Sequence, residues 1–334
     1  MTLPYRMTLV LIIALSSSFP ALAEERTVVQ RELLTLIVGE RTWISSGKTD
    51  FNIAGSGGVP NVVSELKWNH LHSTVVELNA DALWVQRIIT KLDLGFGGIG
   101  HGKLTDSDYM GNNRTLLVSE SVSNVENGKL WYVNLDAGYR AWTSDTKDMI
   151  GRPRVFIDML LGYQHWSEKY EASAVIQTQD PFGLIGFTGP FPNQGVGLTE
   201  TFTWDSIRIG GRGNVGLVPA LALRGKAYFI PWTHFTLKDI HHFRPDLAQN
   251  PSFKASANGG LGGQFDITLV YNTMEALSVE VGYQYWYTQS GSGTGTFFLL
   301  TAAPRRYHST GRIAHETACL RESTLDSRCV AAIL

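Results

Sequence analysis

Residues 130–142 read Leu-Trp-Tyr-Val-Asn-Leu-Asp-Ala-Gly-Tyr-Arg-Ala-Trp. The odd positions are Trp131, Val133, Leu135, Ala137, Tyr139 and Ala141, and the even ones include Asn134, Asp136 and Arg140. Successive side chains of a strand point to opposite faces, so this pattern describes a strand with one apolar and one charged face. The same alternation recurs over 75–84, 155–164, 264–272 and 277–287. A soluble sandwich would alternate too, but two details favour a membrane. Charges sit mid-strand on the polar faces, as a wet lumen allows, and the apolar faces often end in Tyr or Trp, as interfacial girdles do. With no linker, helical repeat or domain boundary in view, the economical architecture is one closed antiparallel sheet, which leaves no exposed edge. The expected fold is all-β, a transmembrane antiparallel β-barrel of about ten strands.

The start of the chain reads as an export signal over residues 1–23. Arg6 supplies a positive start, Met7 to Leu15 form a largely apolar run, and Ala21-Leu22-Ala23 offers small residues before Glu24. The run is well short of the roughly 18–20 apolar residues needed to span a bilayer as a helix. Residues 24–334 then form a single barrel domain. Loss of Arg6 moves the formal charge from −2 to −3. A charge so near neutral argues against a mainly electrostatic partner such as nucleic acid. Both cysteines, Cys319 and Cys329, lie near the C-terminus, where they cannot staple a fold of this size. The polar and Gly/Pro-rich stretches 144–153, 177–197 and 243–263 are expected to be loops.

The chemistry-bearing motifs are few. Residues 95–100, Gly-Phe-Gly-Gly-Ile-Gly, match a dinucleotide fingerprint in letters, but a polar stretch rather than a helix follows. The better reading is a Gly-rich strand where a wall bends or packs closely. His234, His241 and His242 fit no standard zinc spacing and have no cysteine nearby, so no metal site is expected. Asp106-Ser107-Asp108 and Asp239-Ile240-His241 each place two ionisable groups at i and i+2, pointing the same way from an extended strand. Three carboxylates and an imidazole converging at one mouth of a barrel could activate a water. The plainer alternative is two charged strand ends facing solvent.

The surroundings of those motifs resemble the omptins, the outer-membrane aspartyl–histidyl endopeptidases of Gram-negative bacteria. The resemblance rests on Ser46-Gly47-Lys48-Thr49, on Ser64-Glu65-Leu66-Lys67-Trp68 and on Thr105-Asp106-Ser107-Asp108-Tyr109-Met110. Leu161-Gly162-Tyr163-Gln164 and Asp239-Ile240-His241, with Trp232 seven residues before it, continue the match in order. It implies a ten-stranded barrel with its site in a groove at the extracellular mouth, hydrolysing peptide bonds of peptides or proteins at the cell surface. In that scheme Asp239 holds the tautomer of His241, His241 is the general base for a water, and Asp106 with Asp108 positions that water. Attack is direct, with no acyl-enzyme.

The departures are specific. Where the family has an acidic pocket for a basic side chain, the aligned residues are Phe51 and Leu237, which points to an apolar subsite. Lipopolysaccharide activates the family. Tyr163 matches its lipid-binding Tyr, and Lys169 is nearby, while His165, Ser167 and Thr201 replace an acid and two arginines. After about Arg312 the alternation stops and no terminal aromatic follows, so the last strand is expected to be missing or replaced. The expectation is therefore a monomeric outer-membrane endopeptidase with no resident cofactor, in contact with outer-membrane lipid. The alternative is a non-proteolytic barrel with an adhesive, structural or lipopolysaccharide-binding role, and a passive pore is a third, weaker option.

Overall fold

The computed structural model describes residues 33–148, 151–274 and 277–300, with the backbone of 305–309, 314–319 and 329–332. The signal reading of residues 1–23 lies outside them. The chain is almost entirely strand: β1 (Leu34–Ile53), β2 (Ser64–Trp84), β3 (Ile88–Gly111), β4 (Thr115–Thr143) and β5 (Val155–Gln179) run up and down in antiparallel order. The short β6 (Gly189–Pro190) folds back on β5, then β7 (Val196–Val218) and β8 (Leu221–His241) continue the wall. β9 (Phe253–Asn258) and β10 (Gly260–Met274) both pair with β8, one above the other, as two parts of a single wall position. β11 (Leu277–Ser290) and β12 (Gly293–Phe297) follow in the same stacked manner beside them. The stretch 243–263, expected to be a loop, thus contains a strand of its own.

The tenth wall position differs from the other nine. β13 (Arg305–Ser309) pairs with β12, while β14 (Ala314–Cys319) and β15 (Cys329–Ala332) each pair with β11 on one side and β1 on the other. The ladder therefore returns to β1 through short pieces, in place of one long alternating strand.

Polarity is inverted relative to a soluble protein. Val76, Leu78, Trp131, Leu135, Tyr139, Met159, Leu161 and Phe229 are exposed on the outer wall. Their neighbours in sequence, Glu77, Asn134, Asp136, Arg140 and Asp158, are buried inside, as is Arg208 between the exposed Ile207 and Ile209. On β4 the outward apolar run from Trp131 to Trp142 is close to the roughly 9–11 residues a tilted strand needs to cross hydrocarbon. No helix among the described residues is long and apolar enough to cross a membrane, which says nothing of a wall of strands.

The lumen is filled in layers. At the level of the outer apolar belt the filling is ionic. Arg212 contacts Asp158 at 2.8 Å and Asp81 at 2.7 Å, and Arg140 shares Asp158 at 2.8 Å. Arg208 holds Asp136 at 2.8 Å, and Arg41 contacts Glu77 at 2.5 Å. A chain of amides from Asn134 through Gln164 to Gln264 ties this layer across the barrel. A lumen cavity beside Arg41, Asp93 and Lys226 holds about 20 Å³, room for roughly one water, so a passive pore has no channel there. Above the ions lies an aromatic layer, with Trp43, Tyr132, Trp166 and Trp286 at ring separations of 4.9–6.4 Å. Gly95, in the stretch that mimics a nucleotide fingerprint, is where Tyr132 enters: a Cβ there would stand 2.1 Å from its ring. β3 continues through residues 95–100 with a bulge at Gly100 and no α-helix after them, so the reading as a Gly-rich strand that bends or packs closely holds.

The ionic layer generates a prediction. Asp158→Ala leaves Arg140 and Arg212 facing each other without their shared acid, and is expected to destabilise the barrel by about 3–5 kcal/mol. Leu135→Ser on the outer wall leaves that network intact. Denaturant midpoints of the refolded proteins in detergent measure both, and equal losses would show that the ion layer carries no special weight.

Candidate active site

Above the aromatic layer the wall extends well beyond the apolar belt, and there the inward-facing parity changes. On the lower part of β3 the odd residues Ile89, Lys91 and Asp93 are buried inside, while higher up Leu104 is buried and Asp106 and Asp108 share its even register. The switch comes from register shifts between β2 and β3 at Asn69/His72 and His72/Ser73, one extra residue on each strand. A bulge of this kind re-aims every side chain beyond it. Asp106 pairs with Leu66 of β2 and Ser121 of β4, and Asp108 with Ser64 and Ser119. The Ser64 hydroxyl lies 3.5 Å from Asp106 Oδ1 and also bonds the Asp108 side chain.

Across the mouth, Asp239 and His241 face inward from the end of β8. His241 Nδ1 lies 2.7 Å from Asp239 Oδ1. The contact is short but poorly aligned as a hydrogen bond, and it is an ion pair only when the imidazole is protonated. The strand end is clamped from outside. The His241 backbone N–H donates to Ser252 Oγ at 2.9 Å, and the Ser252 N–H donates to the Asp239 carbonyl at 2.7 Å.

The four residues form one electrostatic unit. Burial, then the negative charge of Asp108, pushes Asp106 up to about 7, with His241 acting to lower it and Asp239 to raise it. Burial also raises Asp108 and Asp239 above the usual carboxylate range. For His241, burial works against the imidazolium, but Asp239 in contact and Asp106 across the cleft more than offset it, and its pKa is raised. The two pairs named from the sequence are therefore brought together, each close enough to shift the other's ionisation.

A fifth member carries no motif. Glu200 of β7 is the register partner of Asp239 and is fully buried. Its Oε2 accepts the Trp68 indole N–H at 2.5 Å, while Oε1 has no hydrogen-bond partner among the described residues. Burial, and the adjacent charges of Asp239 and Asp106, hold its carboxyl well above the ordinary range. Only knowledge of the β7–β8 register could have found it.

The expected pocket residues lie lower. Phe51 and Leu237 are both fully buried in the aromatic core, with Phe253 5.9 Å from the Phe51 ring. They form part of the packed floor and present no open surface. On the outer wall, Tyr163 and Lys169 face the same way along β5, six residues apart, roughly 20 Å at 3.3 Å per residue. They are thus not one cluster. The Tyr163 hydroxyl bonds Asp205, whose Oδ1 also lies 2.7 Å from His165 Nδ1, and Lys169 pairs with Glu171 at 2.6 Å. Among the described residues no group of three or more potential ligands is placed to hold a metal.

Inverted polarity, a strand wall and a solid lumen define an outer-membrane β-barrel. The chain belongs to the family described as Protochlamydia outer membrane protein, whose sequence profile matches residues 41–306. Among solved structures it is similar to the outer membrane protease OmpT from Escherichia coli. That match has a TM-score of 0.64 and 16% identity over 84% of this chain and 93% of that one. At that identity the likeness shows the fold. No curated protein matches the sequence.

The raised carboxyl of Glu200 is expected to carry its proton at neutral pH, which can be checked directly. In Glu200→Gln, a neutral isostere, the His241 titration followed by NMR is expected to stay where it is in the parent protein. A clear fall in the His241 pKa would show that an anion had been removed and would refute the neutral assignment.

Proposed function

We propose that the protein is an outer-membrane endopeptidase that hydrolyses peptide bonds at the cell surface through a water activated by Asp239 and His241. The observation that carries this reading is the convergence of Asp106 and Asp108 with Asp239 and His241 over a closed aromatic floor. In the proposed reaction a water between His241 and Asp106 loses its proton to the imidazole as its oxygen attacks the scissile carbonyl. Asp239, in contact with Nδ1, stabilises the imidazolium that forms. The tetrahedral intermediate then collapses as the imidazolium gives its proton to the leaving amine, which returns His241 to the neutral base. Because the nucleophile is water, no covalent intermediate with the chain is required.

Phe51 and Leu237 enter this reading as the wall of an apolar subsite, reached when a substrate side chain displaces part of the packing around Phe253. Lipopolysaccharide would act, if at all, on the outer wall at Tyr163 and Lys169. The same buried state of Phe51 and Leu237 favours the second reading, a non-proteolytic surface barrel in which no specificity pocket is needed.

The expected pH profile follows from the ionisations. Catalysis needs His241 neutral and Asp106 charged, and Asp106 is pushed up to about 7. Activity should therefore be low below pH 6, rise through the neutral range and hold on the alkaline side. His241→Ala is expected to lower kcat by about 10²–10⁴-fold, the usual contribution of a general base. Asp106→Asn should lower kcat as well and move the midpoint to lower pH, since a charge that raises His241 is removed. Cleavage of a mixed peptide library by the refolded barrel, with and without lipopolysaccharide, measures all three. A folded barrel that cleaves nothing, or variants as active as the parent, would transfer the case to the non-proteolytic reading.

A further inference from the structure

The connection between β5 and β7 is unlike the other turns of the barrel. Residues 181–199 contain no charged side chain. Phe182, Leu184, Ile185 and Phe187 are 50%, 64%, 42% and 38% exposed. Four large apolar groups in succession on a solvent-facing loop is a cluster that marks an interaction surface, unlike apolar residues scattered singly.

The loop is also built to keep its shape. Asp180 receives the backbone N–H groups of Leu184, Ile185 and Gly186 at 2.9, 3.1 and 2.8 Å. The charge nearest the tip is thereby engaged in holding the turn. The return leg pairs with β5 at Gly189 and Pro190, and the Phe191 N–H donates to the Val175 carbonyl at 2.9 Å. A preformed apolar surface loses little conformational entropy on binding.

The apolar surface leads towards the catalytic cluster. Phe187 meets Phe191 edge-on at 5.0 Å, and Phe191 stacks on Phe243 at 5.9 Å. Phe243 lies two residues beyond His241. The loop base is tied to the same strand end: the His242 N–H donates to the Gly197 carbonyl at 2.9 Å, and His242 Nε2 lies 2.9 Å from Thr199 Oγ1. The aromatic path thus runs from Phe187, on the return leg of the loop, to Phe243 beyond the end of β8.

We propose that loop 180–194 is a docking surface for an apolar, extended segment of a polypeptide, which it holds beside the cleft of Asp106, Asp108, Asp239 and His241. Continuity with the cleft favours a polypeptide, and the loop's lack of Lys, Arg and Trp disfavours a lipid headgroup region, where those residues anchor. The inference deepens the proteolytic reading by naming the substrate class, but docking itself does not require turnover.

The test uses the full-length barrel carrying His241→Ala, refolded into nanodiscs, so that no substrate is consumed. A fluorescein-labelled peptide rich in Leu, Ile and Phe is titrated by anisotropy beside a length-matched peptide of Ser, Gly and Asn. Binding of the apolar peptide alone is expected. It should weaken about tenfold or more when Phe182, Leu184, Ile185 and Phe187 are all changed to Ser, the loss of one strong contact or several modest ones. Asp180→Asn keeps those side chains and loosens the turn, and should give a smaller loss. Equal affinity for both peptides, or no change in the Ser variant with the barrel shown folded by its circular dichroism, overturns the proposal. So does a loop-dependent association with phosphatidylcholine vesicles that leaves peptide affinity untouched. Retained peptide binding by a parent protein that cleaves nothing would sink the proteolytic reading and leave the docking surface standing.

Discussion

Arg212 touches two carboxylates from two other strands, Asp158 of β5 and Asp81 of β2, across the inside of the barrel. The rest of the structure depends on contacts of this kind. A strand that crosses hydrocarbon must turn apolar side chains outward, which by the period of two forces every second residue into the lumen. Those residues are charged here, and an unpaired charge removed from water would cost more than the fold can supply. Pairing Glu77, Asp81, Asp136, Asp158 and Asp266 with a guanidinium or ammonium from another strand solves that problem at those positions and ties the wall together at the same time. It also closes the lumen, so that whatever the protein does is done at its end and not through its middle.

The aromatic layer converts that plug into a floor. Trp68 shows how: its ring packs on Tyr170 at 4.9 Å, while its N–H reaches up to Glu200. The same side chain is core below and site above. A rigid, dry floor fixes the bases of β3, β7 and β8, from which the carboxylates and the imidazole project, and side chains on strands are held more precisely than side chains on loops.

Much of this was legible in the chain itself. Alternation at 130–142 and in the four similar segments identified strands and gave their outward faces correctly, because a membrane wall imposes period two on every residue it contains. The i, i+2 spacing of Asp106 with Asp108, and of Asp239 with His241, survived because each pair lies within one unbroken stretch of strand. What the sequence hides is anything set between strands. The change of parity on β3 needs two register shifts near His72, and no local pattern announces them. Glu200 sits in Leu-Thr-Glu-Thr-Phe, an unremarkable strand until β8 brings Asp239 beside it. Phe51 and Leu237 were recognisable as apolar, yet their burial under Phe253 depends on β9, a strand inside a stretch whose polar and glycine content reads as loop.

The mouth departs from the rule that governs the lumen. Glu65, at the same end of the barrel, still obeys it: burial alone would raise its pKa, but Arg114 and Lys67 more than offset that and hold it low. At Asp106, Asp108 and Asp239 the opposing influences of His241, His242 and Arg244 do not offset burial, and all three carboxyls, with Glu200 beside them, stay raised. The floor beneath them at Phe51 and Leu237 is apolar, which strengthens the electrostatic coupling above it. Stability gains nothing from such an arrangement. The proposed hydrolysis would use it, because a proton must pass between a water, an imidazole and a peptide nitrogen, and the contrast between lumen and mouth is the physical argument on which that proposal rests.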